Sequence, residues 1–281
     1  MIHLTRAALA WRAAGRAAVV VEVAAHRGSV PRETGTRMLV AADEVLGTIG
    51  GGHLELKAIA QARELLAVPG ATAREQEVAL GPSLGQCCGG ALTLRFVPLA
   101  DSDPAQWPAA APRFFLQLYG AGHVGRAIVA LLAGLPCRVQ WVDERESEFP
   151  AGPLPPHIER VCVEPVQAEV AVAPPGAFFL VLTHSHDLDL ALTHAILKRG
   201  DFGFFGLIGS KTKRVRFERR LAERGITSEM ITRMTCPIGV GGIEGKEPEV
   251  IAVAVVAQLL QVAAQAASKT AKTLVQNDSR S

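Results

Sequence analysis

The alternation of apolar and polar positions changes character near residue 100. Before that point the elements are short and mixed. "RAALAWRAAG" (6–15) has helical spacing and stops at Gly15. "AAVVVEVAA" (17–25) is a β-branched run that predicts a strand, and "HRGSVPRETGTRMLV" (26–40) is a loop leading into another. "GTIGGGHLELKAIAQARELLA" (47–67) turns through three glycines into a helix. Strand-like "EQEVAL" (75–80) and "ALTLRFVPL" (91–99) flank a glycine-rich strip. After residue 112 apolar strands ("RFFLQLYG", "RVQWVD", "IERVCV", "AFFLVLTH", "FGFFGLIG") alternate with helical patterns ("HVGRAIVALLAG", "DLDLALTHAILKRG", "TKRVRFERRLAERG"). Such alternation predicts βαβ units. The fold expected is therefore α/β: a carboxy-terminal, Rossmann-like, doubly wound parallel sheet preceded by a smaller α+β domain.

The expected boundaries are a first domain over 1–99, a Pro-, Ala- and Asp-rich linker over 100–112, a Rossmann-like domain over 113–267, and a polar, disordered tail over 268–281. The run "VIAVAVVAQLLQVAAQAA" (250–267) has the apolarity of a membrane span. Gln258, Gln261 and Gln265 interrupt it on one helical face, which favours a mostly buried amphipathic helix.

Composition narrows the function. The chain has 281 residues, 49% of them hydrophobic, and a formal net charge of only +2. A nucleic-acid binder needs a clustered basic excess, and aromatic residues, at 5%, are too scarce for a base-stacking platform. The start of the chain lacks the apolar core and cleavage site of a secretory signal, so a cytoplasmic protein that neither enters membranes nor binds nucleic acid is expected. Its five cysteines are then expected as thiols.

Chemistry concentrates in the glycine loops. Gly120, Gly122 and Gly125 form G-x-G-x-x-G between a predicted strand and a predicted helix, and the next strand ends in Asp143. This is the full dinucleotide-binding context. Gly120 permits the turn, Gly122 lets a phosphate approach the backbone, Gly125 lets helix and strand pack, and Asp143 accepts from ribose hydroxyls. His123 lies in the same loop, facing either a ligand or solvent. "LTHSHDLDL" (182–190) places His184 and His186 after a strand, but the spacing departs from a two-metal hydrolase motif. "GLIGSKTKR" (206–214) opens a helix with Lys211, which either meets a phosphate or joins Lys213 and Arg214 on a solvated face. Cys236 is a third sulfur near the crevice or part of a turn, and Cys137 and Cys162 are buried fillers in apolar strands.

"GPSLGQCCGG" (81–90) sets Cys87 and Cys88 side by side. Adjacent cysteines resist bridging one another. A soft-ligand or persulfide site for molybdenum or its sulfur, a redox pair, and a turn of small residues all fit.

The order of "GSVPRETGTRMLV", "GTIGGGHLE", "GPSLGQCCGG", "LYGAGHVGRAI", "VLTHSHDLDL", "GLIGSKTKR" and "CPIGV" resembles the XdhC/CoxI family, accessory proteins of xanthine dehydrogenase and related molybdenum hydroxylases. The resemblance runs from the first helix to the last. It implies a homodimeric, non-catalytic chaperone that binds molybdenum cofactor as cargo. The cofactor is held while a cysteine desulfurase installs its sulfur, then delivered to apo-xanthine dehydrogenase. Cys87, Cys88, Gly120, Gly122, His123, Gly125, Asp143, His184 and Lys211 are the candidate contacts, chosen on their chemistry. One ligand with a soft centre and a phosphate is expected to bridge the two halves. The alternative is an NAD(P)-dependent oxidoreductase built on the same glycine loop.

Overall fold

The structure, a computed structural model, describes residues 2–80, 90–108 and 111–278. Its contacts divide the chain into two units, 1–110 and 111–281.

The first unit contains α1 (Ile2–Ala13), β1 (Ala18–Arg27), β2 (Arg37–Ala41), β3 (Val45–Gly47), α2 (Gly52–Leu66), β4 (Arg74–Ala79) and β5 (Ala91–Pro98). The strands form one antiparallel sheet ordered β3-β2-β1-β5-β4. The β-branched run explains why β1 is central. Val19, Val21 and Val23 pack towards α2, while Ala18 and Val20 pack on the opposite face with Ala8 of α1 and Leu99. A strand covered on both faces needs no polar alternation. Residues 100–107, from the segment expected as linker (100–112), instead fold onto this unit. Leu99 and Pro104 are buried, Trp107 packs beside α1, and Asp103 caps a short turn while pairing with Arg12. Pro and Ala lower the apparent hydrophobicity of a segment that Pro104 and Trp107 nevertheless anchor.

The triple-glycine turn into α2 is held by one carboxylate. Glu55 Oε2 accepts from Ile49 N (3.0 Å), Gly51 N (3.1 Å) and the Thr48 hydroxyl, whose oxygen in turn accepts from Gly50 N. These donors are therefore used internally. Burial pushes the Glu55 carboxyl up, but the Thr48 hydroxyl and the glycine-turn N–H groups outweigh it and hold it below the ordinary range. A depressed carboxyl stabilises the fold above its unfolded pKa of about 4.3 and loses that contribution as pH falls through the folded value. Glu55→Gln is thus expected to cost about 1–2 kcal/mol at pH 7. In urea unfolding the gap to wild type should close towards pH 3, and a gap that stays constant with pH contradicts the assignment.

The second unit contains β6 (Phe115–Tyr119), α3 (His123–Leu132), β7 (Arg138–Asp143), β8 (Ile158–Cys162), α4 (Glu169–Val172), β9 (Phe178–Val181), α5 (His186–Arg199), β10 (Phe204–Leu207), α6 (Lys211–Ala222), α7 (Ser228–Thr232), β11 (Met234–Thr235) and α8 (Pro248–Asp278). Its sheet is parallel and ordered β11-β10-β9-β6-β7-β8. Counted along the chain this is 3-2-1-4-5-6, the doubly wound order whose ligand crevice opens where strand order reverses, between β6 and β9. The α/β class expected from the alternation is thus observed. Leu116, Leu118, Val139 and Trp141 face one core layer with Ile128, Val255 and Leu259, while Tyr119, Phe179, Phe205 and Phe217 fill the other.

Two expectations change here. Cys137 is buried, and burial raises its thiol to about 11, but Cys162 is exposed. It ends β8, an edge strand covered on one side only. The tail expected to be disordered continues α8 as helix to Asp278. Ala, Lys, Leu and Gln there are good helix formers, and no Pro or Gly interrupts them. The window Pro248–Lys269 is long and apolar enough to cross a membrane by length and composition, and about a third of it is buried. The buried residues are Ala252, Ala254, Val255, Val256, Leu259 and Ala263, so α8 is less enclosed than expected. Gln258 turns inward and accepts from Gly239 N at 2.9 Å.

Candidate functional site

Three long helices, α3, α5 and α6, begin at the carboxyl edge of the parallel sheet. Each directs the N–H groups of its first turn and the positive end of its dipole towards that edge.

The loop into α3 is the most tightly built. Gly120 has φ 119°, and a Cβ there would stand 2.3 Å from the Leu182 carbonyl oxygen. A Cβ on Gly125 would stand 2.1 Å from the Gly120 carbonyl oxygen. Both glycines are required by close packing of strand, loop and helix. Gly122 differs. Its backbone (φ −69°, ψ −173°) suits any residue, and nothing lies within 4 Å of an added Cβ. This open space lies at the helix N-terminus, where a phosphate would approach. His123 is exposed at the first helical position.

The loop is pinned from beneath. Trp141 Nε1 donates to Gly120 O (3.0 Å), Gly120 N donates to Val142 O (2.9 Å), and Ala121 N donates to Asp143 Oδ2 (2.7 Å). Asp143 is 5% exposed and also accepts three bonds from Arg145. Burial raises its carboxyl, but the Arg145 side chain and the Ala121 and Arg145 N–H groups hold it below the ordinary range. The residue expected to meet a ribose thus serves first as the fastening of the glycine loop.

Across the switch point His184 is exposed, with Nε2 3.7 Å from Glu144 Oε1. His186 turns the other way, its Nδ1 3.2 Å from Arg216 Nη2. Among the described residues no three of His, Cys, Asp and Glu converge on a point where a metal ion would bind.

Beyond β9 and β10 lies a groove of about 490 Å³, lined by Thr183, His184, His186, Ser210, Lys213 and Arg216, among others. Ser185 and Ser210 cap the helices on either side, accepting from Leu188 N and Lys213 N. The groove's floor rests on a pair that sequence reasoning missed. Asp189, 1% exposed, accepts from Lys213 Nζ at 2.6 Å and from Thr183 N and Oγ1 at 3.0 and 2.7 Å. Lys213 also donates to Ile208 O (2.8 Å). Lys213 is therefore no part of a solvated face. Only a carboxylate one turn into α5, facing a lysine one turn into α6, hinted at the pairing. Lys211 remains exposed at the first position of α6.

Two buried side chains, Tyr119 and Cys236, lie near these loops. Tyr119 is fully buried, with its hydroxyl donated to Gln117 Oε1, and burial raises its pKa. Cys236 is buried beside the start of α6, with Sγ 4.0 Å from Ser210 O, and its thiol is pushed up by burial. Both are packing groups in this arrangement.

Cys87 and Cys88 lie outside the described residues. The two ends of their segment are close: Leu80 N donates to Gly90 O at 2.8 Å. A Cβ on Gly90 would stand 2.4 Å from the Ser29 carbonyl oxygen, which explains why the segment closes on a glycine there.

Comparison with known proteins agrees with this architecture. A solved structure entitled a xanthine dehydrogenase, from Bacillus halodurans, aligns with a TM-score of 0.67 over 92% of this chain and 95% of its own. At 18% identity it shares the fold. The uncharacterized protein YqeB of Escherichia coli strain K12 is 32% identical over 252 residues. The match covers 86% of this chain but 43% of that relative, so the chain spans less than half its length. Residues 11–76 match the XdhC and CoxI family, and residues 116–259 match the XdhC Rossmann domain. The chain belongs to the XdhC/CoxI family.

Proposed function

We propose that this chain is an accessory protein of a xanthine dehydrogenase or related molybdenum hydroxylase. It binds molybdenum cofactor, holds it while a cysteine desulfurase supplies its sulfur, and passes it to the apo-enzyme without turning over a substrate of its own. The observation that carries this reading is the open cradle at Gly122, at the head of α3 in an XdhC Rossmann domain. The cofactor's phosphate is an anion that helix N–H groups and a positive dipole end suit. The polar groove beyond β9 and β10, with His184 and Arg216 in its lining, suits the hydrogen-bonding pterin. Thiolates at Cys87 and Cys88 are the soft groups this chain offers to molybdenum or its sulfur.

Reconstitution tests the role. Apo-xanthine dehydrogenase supplied with limiting sulfurated cofactor should recover activity faster and further when this protein carries the cofactor. Equal recovery with and without it, when the enzyme is its cognate partner, overturns delivery.

The thiol assignment has its own test. Cys87→Ala and Cys88→Ala, singly or together, should weaken retention of sulfurated cofactor about tenfold, equivalent to ~1.4 kcal/mol. Thermal melting should be unchanged. Unaltered affinity in the double variant removes both cysteines from the site.

A further inference from the structure

A dinucleotide fold presents the carboxylate at the end of its second strand to the ribose diol of its ligand. Asp143 holds that position, and both of its oxygens are engaged from within the chain. Oδ1 accepts from Arg145 N (2.9 Å) and Nε (3.0 Å), and Oδ2 from Arg145 Nη2 (2.9 Å) and Ala121 N (2.7 Å). The guanidinium meets the carboxylate in two-point fork geometry, the strongest arrangement available to such a pair.

The segment bearing Arg145 is fastened in turn. Arg145 Nη1 lies 3.6 Å from Glu148 Oε1. Glu148 is gripped from α3 by Arg126, whose Nη2 donates to Oε2 (2.7 Å) and Nε to the Glu148 carbonyl (2.9 Å). Phe149 packs edge-on against Trp141, with centroids 5.1 Å apart. Residues 144–149 thus form a strap across the end of β7. On the β9 side His184 approaches Glu144. The cavity left between the carboxyl ends of β6, β7 and β9, lined by Gly120, Asp143, Glu144 and Thr183 among others, is about 10 Å³. That is room for about one water molecule.

We propose that the Asp143–Arg145 pair is a selectivity device: Arg145 takes the hydrogen bonds that a ribose diol would donate to Asp143, so the crevice withholds this contact from NAD and other nucleotides with a free diol at this subsite. The cradle at Gly122 stays accessible to phosphate ligands that make no such demand. Asp143 keeps Ala121 in place with or without a ligand, so the glycine loop is preformed. The inference rests on the switch-point crevice being the ligand site, as proposed above, and not on the identity of the cargo.

Calorimetric titration of the full chain with ADP and with 2′,3′-dideoxy-ADP separates the diol from the phosphates. Wild type should bind both with similar, millimolar affinity. Arg145→Ala should bind ADP at least tenfold more tightly than wild type does, while dideoxy-ADP gains nothing, because only ADP can use the freed carboxylate. Arg145→Met, which keeps the apolar stem, should behave likewise and serves if the alanine variant melts early. ADP binding by wild type at micromolar affinity overturns the proposal. So does an equal gain for both nucleotides, which makes Arg145 a steric plug, or no gain in a folded variant. Binding of purified molybdenum cofactor to the same proteins is a separate reading, so loss of the cargo assignment and loss of the selectivity device are told apart.

Discussion

Gly122→Val is expected to fold as wild type does and to lose about 100-fold in affinity for molybdenum cofactor, equivalent to ~2.7 kcal/mol. The extended backbone of Gly122 accepts a β-branched residue, and the space around an added Cβ is empty of protein atoms. The new side chain therefore projects into the approach to the helix N-terminus. A phosphate held away from those N–H groups forfeits charge-assisted hydrogen bonds worth roughly 1.5–3 kcal/mol each. Gly120→Val and Gly125→Val make the control. There the added carbon would press on a backbone carbonyl at 2.3 or 2.1 Å, so these variants should lose the folded unit itself. Calorimetric melting and cofactor titration of the three variants distinguish a binding glycine from two packing glycines. A Gly122→Val protein that binds cofactor with wild-type affinity places the phosphate elsewhere.

The second large effect is on stability. Asp189→Ala leaves Lys213 charged, with its side chain only 10% exposed, and removes the acceptor of the Thr183 N–H and hydroxyl. Removing one member of a buried ion pair costs about 3–5 kcal/mol. For a unit of this size that lowers Tm by roughly 10 °C. Replacing both members by apolar residues, Asp189→Leu with Lys213→Met, should recover most of the loss, since no uncompensated charge remains. A single variant that melts within two or three degrees of wild type, by about the same scale, contradicts the structural weight given to this pair. The pair also ties α5 to α6 beneath the polar groove, so Asp189→Ala should loosen the groove's walls as well as lower Tm.

The parallel sheet was legible because its central strands are buried on both faces. "FFLQLY", "FFLV" and "FFGL" are near-continuous apolar runs, and the helices between them repeat at helical spacing. The two-residue strand Met234–Thr235 carried no such run, and its place at the sheet edge follows from pairing with β10. The glycine loop was legible down to individual roles, because each glycine answers a different steric demand. The partners of its polar residues were not. Asp143 stood in the expected place, yet the arginine that occupies it lies two residues on, in a loop whose path no periodicity reports. Lys213 and Asp189 are separated by 24 residues and meet only because α5 and α6 begin at adjacent strands. Viewed along one helix, Lys213 belonged with Lys211 and Arg214. In the folded unit it turns inward. Trp107 was the overlooked signal in the segment taken as linker, and Cys162 was misjudged because a strand's place at the sheet edge is a property of topology.

The central claim, that this chain carries molybdenum cofactor, is tested most directly by what it holds when purified. Protein made in cells that synthesise the cofactor should contain molybdenum by elemental analysis and, after oxidation, a fluorescent phosphorylated pterin in equal amount, approaching one of each per binding site. Gly122→Val from the same cells should contain neither. Wild-type protein that is folded and carries no molybdenum or pterin, from cells whose molybdenum hydroxylase is active, contradicts the account.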